Sequence, residues 1–211
     1  MRFSMRKWLL WLGVGWILCG VSAVYANTWL VVGDSLSAAY GIEMEEGWVA
    51  LLQKRLAAEG HEQQVVNASI SGDTTAGGLT RLPALLEEHQ PTLTMIELGA
   101  NDGLRGLSTI TMQQHLREMI HLARAAGSDV LLLGMHIPPN YGQRYSEMFH
   151  HVYHHLAQSE DVPLLAFLLA GVGGEAALMQ DDGLHPTAEA QPIMLENVWP
   201  FLVQQIAKEQ E

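Results

Sequence analysis

The chain has 211 residues, 48% hydrophobic and 16% charged, with 23 acidic against 11 basic side chains. This composition excludes a disordered or fibrous chain. The formal charge of −12 argues against nucleic acid and against electrostatic docking on anionic lipid.

In chain order, residues 1–26 read as a signal peptide. Arg2, Arg6 and Lys7 precede an apolar stretch from Trp8 to about Val24, and Val24-Tyr25-Ala26 is a small-x-small cleavage site. Cleavage is expected after Ala26, with Val21-Ser22-Ala23 as a second site; the competing reading is an uncleaved membrane anchor. The leader holds three basic residues and no acidic ones, so the mature chain carries 8 basic and 23 acidic residues, a formal charge of −15. The one cysteine, Cys19, leaves with the leader, so disulfides, thiol nucleophiles and thiolate metal sites are not expected.

After residue 27 no repeat or linker interrupts the chain, and residues 27–211 read as one domain. Thr28–Val32 is a β-rich run ending at Gly33. Gly47–Glu59 is helical, with Val49, Leu52 and Leu56 on one face and Gly60 as a stop. Gln64–Asn67 is a second strand. Gly77–His89 is helical, but Pro83 places its better-formed part from Leu82 onward. Leu93–Leu98 is a third strand. Thr111–Ala126 is an amphipathic helix with Met112, Leu116, Met119 and Ala123 on one face and Gly127 as its stop. Val130–Leu133 is a continuous apolar strand, Tyr145–Ser159 is helical, Pro163–Ala166 is a short strand, and Thr187–Lys208 is mostly helical. This alternation predicts a parallel sheet with helices on both faces, and a ligand site beyond the carboxyl ends of the strands.

Small polar residues gather at those ends. Gly33-Asp34-Ser35-Leu36-Ser37 follows the first strand, Ala68 to Asp73 the second, and Gly99-Ala100-Asn101-Asp102 the third. Asp181-Asp182-Gly183-Leu184-His185-Pro186 lies near the C-terminus. A serine needs a base to remove its proton, and a histidine base needs a carboxylate to hold its tautomer. The spacing of Asp182 and His185 lets one tight loop bring them together, although Asp181 competes for the same role. The backbone N–H groups of Ser35 and Gly72 and the Asn101 amide are candidate oxyanion donors. His150, His151, His154 and His155 have the i, i+4 spacing of a zinc site but lack an intervening carboxylate, and read as a solvated helix face.

These four blocks, in this order and spacing, resemble the SGNH hydrolase superfamily, also called the GDSL esterases and lipases. The similarity spans the mature chain. It is strongest toward bacterial periplasmic members with thioesterase and lysophospholipase activity, and includes the runs 66–74, 99–106, 139–142 and 179–183. The resemblance implies a flavodoxin-like three-layer α/β/α sandwich. It makes Ser35 the nucleophile, Asp182 and His185 its partners, and Gly72 and Asn101 oxyanion donors beside Ser35. It implies hydrolysis of esters and thioesters through an acyl-enzyme, without metal or organic cofactor, by a monomer outside the cytoplasm. The expected partner is a small amphipathic ester or thioester, with no nucleic acid and no stable membrane insertion after leader cleavage. Leu104, Leu107, Ile110, Pro139 and Tyr141 are the expected walls of an acyl groove. The stretches Met135–Ile137 and Ala170–Ala177 depart from the familiar thioesterase, so chain-length preference does not carry over. A carbohydrate acetylesterase of the same superfamily is the alternative; the intact set of Ser35, Asp182 and His185 speaks against a non-catalytic binding protein.

Overall fold

The computed structural model describes residues 27–210, so the leader and its cleavage site lie outside the described residues. Five strands, β1 (Thr28–Gly33), β2 (Gln64–Asn67), β3 (Leu93–Glu97), β4 (Asp129–Leu133) and β5 (Leu164–Leu165), form one sheet of order β2-β1-β3-β4-β5. Every pairing is parallel. The core explains the strand sequences. Trp29, Leu30, Val31 and Val32 are wholly buried, as are Met95, Leu132 and Leu133. Such continuous apolar runs belong to strands covered on both faces.

Six α-helices cover the sheet: α1 (Trp48–Ala58), α2 (Thr75–His89), α3 (Ala100–Leu104), α4 (Thr109–Ala125), α5 (Gln143–Ser159) and α6 (Gln191–Glu209). One group is α1 packed on α6; the other is α2, α4 and α5 packed in series. Their buried stripes follow helical spacing, as in α4, where Met112, Leu116, Met119, Ile120 and Ala123 face inward. Ser108 caps α4 by accepting from the Thr111 N–H at 3.3 Å.

Helix α2 departs most from expectation. α2 begins at Thr75 and runs through Pro83 without a late start. Its first turn is anchored: Thr74 accepts from the Gly77 N–H, and Thr75 donates its N–H and hydroxyl to Asp102 at 2.9 and 2.6 Å. Pro83 therefore forfeits one helical bond, but the turn before it is held from outside. At the C-terminus, residues 188–190 form a 3-10 turn, and the α-helix starts at Gln191 with a proline in its first turn.

In this strand order the direction in which strands are added to the sheet switches between β1 and β3, which is where an open parallel sheet leaves a crevice at its carboxyl end. Ser35 follows β1 and Asn101 follows β3, so the topology brings the two together.

Candidate active site

Ser35 sits on the turn after β1, where the Ala38 N–H bonds the Asp34 carbonyl and the Tyr40 N–H bonds that of Ser35. Its Oγ lies 2.9 Å from His185 Nε2. His185 Nδ1 lies 2.6 Å from Asp182 Oδ2. Asp182 Oδ1 accepts the N–H groups of Leu184 and His185 at 2.9 and 3.0 Å. The tight 182–185 loop thus points one carboxylate both at its own backbone and at the ring. Its hydrogen bonds to the His185 side chain and backbone hold the Asp182 carboxyl down at about 2. Asp182 is then ionised at any working pH. It fixes the Nδ1–H tautomer and leaves Nε2 free to accept from the serine hydroxyl. The ring of Tyr40 packs on His185 with centroids 4.4 Å apart. Among the described residues it is Asp182, not Asp181, that bonds the histidine.

The Asn101 side chain donates to Asp34 Oδ2 at 3.0 Å. Asp34 also accepts the Leu36 N–H at 3.1 Å. Burial pushes the Asp34 carboxyl up to about 6, against the opposing effect of the Leu36 and Asn101 bonds. Gly99, just before Asn101, has a φ of 120°, and a Cβ there would lie 2.4 Å from the Tyr153 hydroxyl. That hydroxyl donates to the Leu98 carbonyl at 2.9 Å, so only glycine lets the chain turn here. On the other side, Arg81 of α2 donates to the carbonyls of Gly33 and Ala68 and pairs with Asp73 at 2.8 Å. The loops after β1 and β2 are thereby tied together. Gly72 adopts φ 79° and its carbonyl accepts from Arg105 at 2.8 Å.

Ser35, Asn101 and His185 open onto a cavity of about 420 Å³ whose walls are mainly apolar. Leu104 lines it, together with Ile137, Pro138, Phe167 and Leu169. Gly72, Leu107, Ile110 and Tyr141 are not among its lining residues. Leu107 and Ile110 are 44% and 70% exposed, the first just before α4 and the second in its first turn, rather than in the groove. Tyr141 instead donates its hydroxyl to the Leu104 carbonyl at 2.9 Å, bracing a wall residue from behind. The side chain of Pro139 lies outside what the structure describes. The sequence signal for the walls lay in the two divergent stretches: Met135, His136 and Ile137 line the cavity, and so do Gly173 and Gly174.

The histidine cluster is only partly a solvated face. His151 and His155 are exposed. His150 and His154 are half-buried, with their Nε2 atoms 3.0 Å apart, and His136 stacks on His150 at 3.7 Å. Burial lowers the pKa of both His136 and His150. Among the described residues, no group of three or more His, Cys, Asp or Glu side chains is placed to hold a metal ion.

The sequence of residues 31–192 matches the model of the GDSL-like Lipase/Acylhydrolase family. The chain belongs to this family. It is 60% identical over 177 residues to the Esterase TesA of Pseudomonas aeruginosa, covering 84% of this chain and 88% of that one. It is 45% identical over 180 residues to the Escherichia coli protein named Thioesterase 1/protease 1/lysophospholipase L1, covering 85% of each. Among solved structures it matches the psychrotrophic esterase EstA of Pseudoalteromonas sp., inhibited by monoethylphosphonate. That match has a TM-score of 0.82 and 44% identity, and covers 86% of this chain and 99% of that one. This GDSL-family chain is a serine ester hydrolase.

Proposed function

We propose that Ser35 is the nucleophile of this hydrolase, that His185 and Asp182 activate it, and that its substrates are amphipathic esters and thioesters. The acyl groups are longer than acetyl, as in lysophospholipids, acyl thioesters and aryl esters. The observation that carries the reading is the hydrogen-bonded chain Ser35–His185–Asp182 at the mouth of a largely apolar cavity of about 420 Å³. A space of that size is within the range of small-molecule sites and is far more than an acetyl group fills.

The geometry supports the following mechanism. The serine proton moves to His185 Nε2 as Oγ attacks the carbonyl carbon, and Asp182 stabilises the imidazolium that forms. The developing oxyanion is met by the Ser35 N–H and the Asn101 amide, which border the cavity; the Gly72 N–H, on the loop after β2 and outside the cavity lining, is the third donor that the family resemblance implies. His185 then returns the proton to the departing alcohol or thiol, and water repeats the sequence on the acyl-enzyme. The chemistry calls on side chains and backbone alone.

The relatives named esterase and thioesterase support both leaving-group classes. The leader supports export to the periplasm or the medium, where a monomer would meet soluble amphiphiles. Among the described residues, no helix is long and apolar enough to cross a membrane. A series of p-nitrophenyl esters and acyl thioesters from acetyl to palmitoyl, run beside Ser35→Ala, tests the reading. It predicts an optimum above four carbons and no turnover by the variant. A sharp optimum at acetyl would favour a carbohydrate acetylesterase instead. Recovery of the protein from a periplasmic extract, with its N-terminus at Asn27, tests the export.

A further inference from the structure

We propose that Glu97 is a positioning residue for the hydrolytic reaction: from the end of β3 its carboxyl fastens both flanks of the Ser35 turn and, through Asp34, the amide of Asn101. The inference rests on the reading of Ser35 as nucleophile. Glu97 is wholly buried in a strand whose other residues form the core. Burying a carboxyl costs free energy that a leucine at the same place would not, so its bonds are informative.

One oxygen, Oε2, accepts the Asp34 N–H at 3.2 Å and the Ser37 hydroxyl at 2.8 Å. Those two residues bracket Ser35. Ser37 is held in turn by the Trp48 indole N–H at 3.2 Å. Asp34, gripped at its N–H by Glu97, uses its own carboxylate to accept the Leu36 N–H and the Asn101 amide. A single carboxyl thus sets the position of the nucleophile directly and of an oxyanion donor at one remove.

The fit is specific. Gly33 pairs with Glu97 in the β1–β3 register, and a Cβ on Gly33 would stand 2.7 Å from Oε2. The absent side chain of the Gly-Asp-Ser glycine is the space the carboxyl occupies. The other oxygen, Oε1, is buried without a hydrogen-bond partner among the described residues. Burial and the nearby Asp34 carboxylate push Glu97 well above the usual carboxylate range. Glutamine keeps an acceptor oxygen for the two bonds that Oε2 receives, which makes it the conservative replacement.

The experiment measures kcat and KM for a soluble p-nitrophenyl ester in the full mature enzyme, with Glu97→Ala, Glu97→Asp and Glu97→Gln beside Ser35→Ala. Near-UV circular dichroism gives the folded fraction and phosphonate titration the competent fraction. Per folded molecule, Glu97→Ala and Glu97→Asp are expected to lose about 10- to 100-fold in kcat, the scale of a misplaced catalytic group. KM should change by less than about threefold, because Glu97 does not line the cavity. Glu97→Gln should recover kcat to within about threefold, with an unchanged pH profile. If Glu97→Ala fails to fold, the aspartate variant, which keeps the acid but shortens its reach, carries the test. Wild-type kcat in Glu97→Asp or Glu97→Ala, or a Glu97→Gln as impaired as those variants, overturns the proposal. An active Ser35→Ala would instead sink the nucleophile assignment on which it rests.

Discussion

At the residue scale, the site divides the two oxygens of its carboxylates between backbone and side-chain partners. Asp182 has two oxygens and uses one for its own loop and one for His185. Asparagine in its place retains an acceptor for the loop but turns an N–H toward the ring, which favours the wrong tautomer. We expect Asp182→Asn to lower kcat by about 10²- to 10⁴-fold with little change in KM. The side chain is 41% exposed, and water can supply part of the lost acceptor, so the smaller end of that range is expected. Steady-state kinetics on a soluble ester checks this, and a variant with wild-type kcat would remove Asp182 from the mechanism. The meeting of Ser35, His185 and Asp182 was legible because loop residues of these types have spacing and flanking glycines as their signature. Glu97 was not readable. It sits in Leu93-Thr94-Met95-Ile96-Glu97 as the polar end of an apolar strand, and only the register against Gly33 reveals what it touches.

At the scale of elements, the loops after the strands are held by the starts of helices. Asp102, 4% exposed, accepts both the N–H and the hydroxyl of Thr75 and so pins the first turn of α2 to α3. His115 of α4 joins the same hydroxyl at 3.0 Å. Asp102→Ala leaves those buried donors without an acceptor, at about 1–3 kcal/mol. In a protein of this size that lowers Tm by several degrees. Thermal unfolding measures it, and an unshifted Tm would show that the α2 start is held by other means. This anchor also explains the helix start that sequence reading placed furthest from its observed position. Pro83 argued for a beginning near Leu82, but the external carboxylate holds the turn before it, and no local pattern records a partner 27 residues away. Helix α3 was missed for a different reason: five residues are too few to show a period. The strands were legible because each carries a short run of apolar, mostly β-branched or leucine residues bounded by polar or turn residues. The acyl walls were less so, since Leu107 and Ile110 are adjacent to Leu104 in sequence while the turn into α4 carries them outward.

At the scale of the whole molecule, Glu209 near the end of α6 closes the amino end of the sheet, opposite the site. It accepts from Asn27, Trp29, Gln63, Thr92 and Gln205 at 2.8 to 3.1 Å, drawing the beginnings of β1, β2 and β3 onto one side chain. Burial acts to raise its carboxyl, but the bonds from Gln63, Gln205, Trp29 and Thr92 outweigh it and hold Glu209 below its usual value of 4.5. A depressed carboxyl contributes stability above the unfolded pKa and loses it as the pH falls through the folded one. The difference in Tm between wild type and Glu209→Ala should therefore be full above about pH 5 and shrink as the pH drops below about 4.5. A pH-independent difference would show that Glu209 acts by packing rather than by charge. The indole of Trp29 is wholly buried, so this bond is part of the core.

The central claim is that Ser35, activated by His185, receives the acyl group. The most direct measurement is peptide-resolved mass spectrometry after reaction with a p-nitrophenyl phosphonate, which transfers its phosphonyl group to an activated serine. The account predicts one adduct, on Ser35, with activity lost in proportion to its formation. Ser35→Ala should show neither adduct nor turnover. Labelling at another residue, or hydrolysis by Ser35→Ala at the wild-type rate, would contradict it.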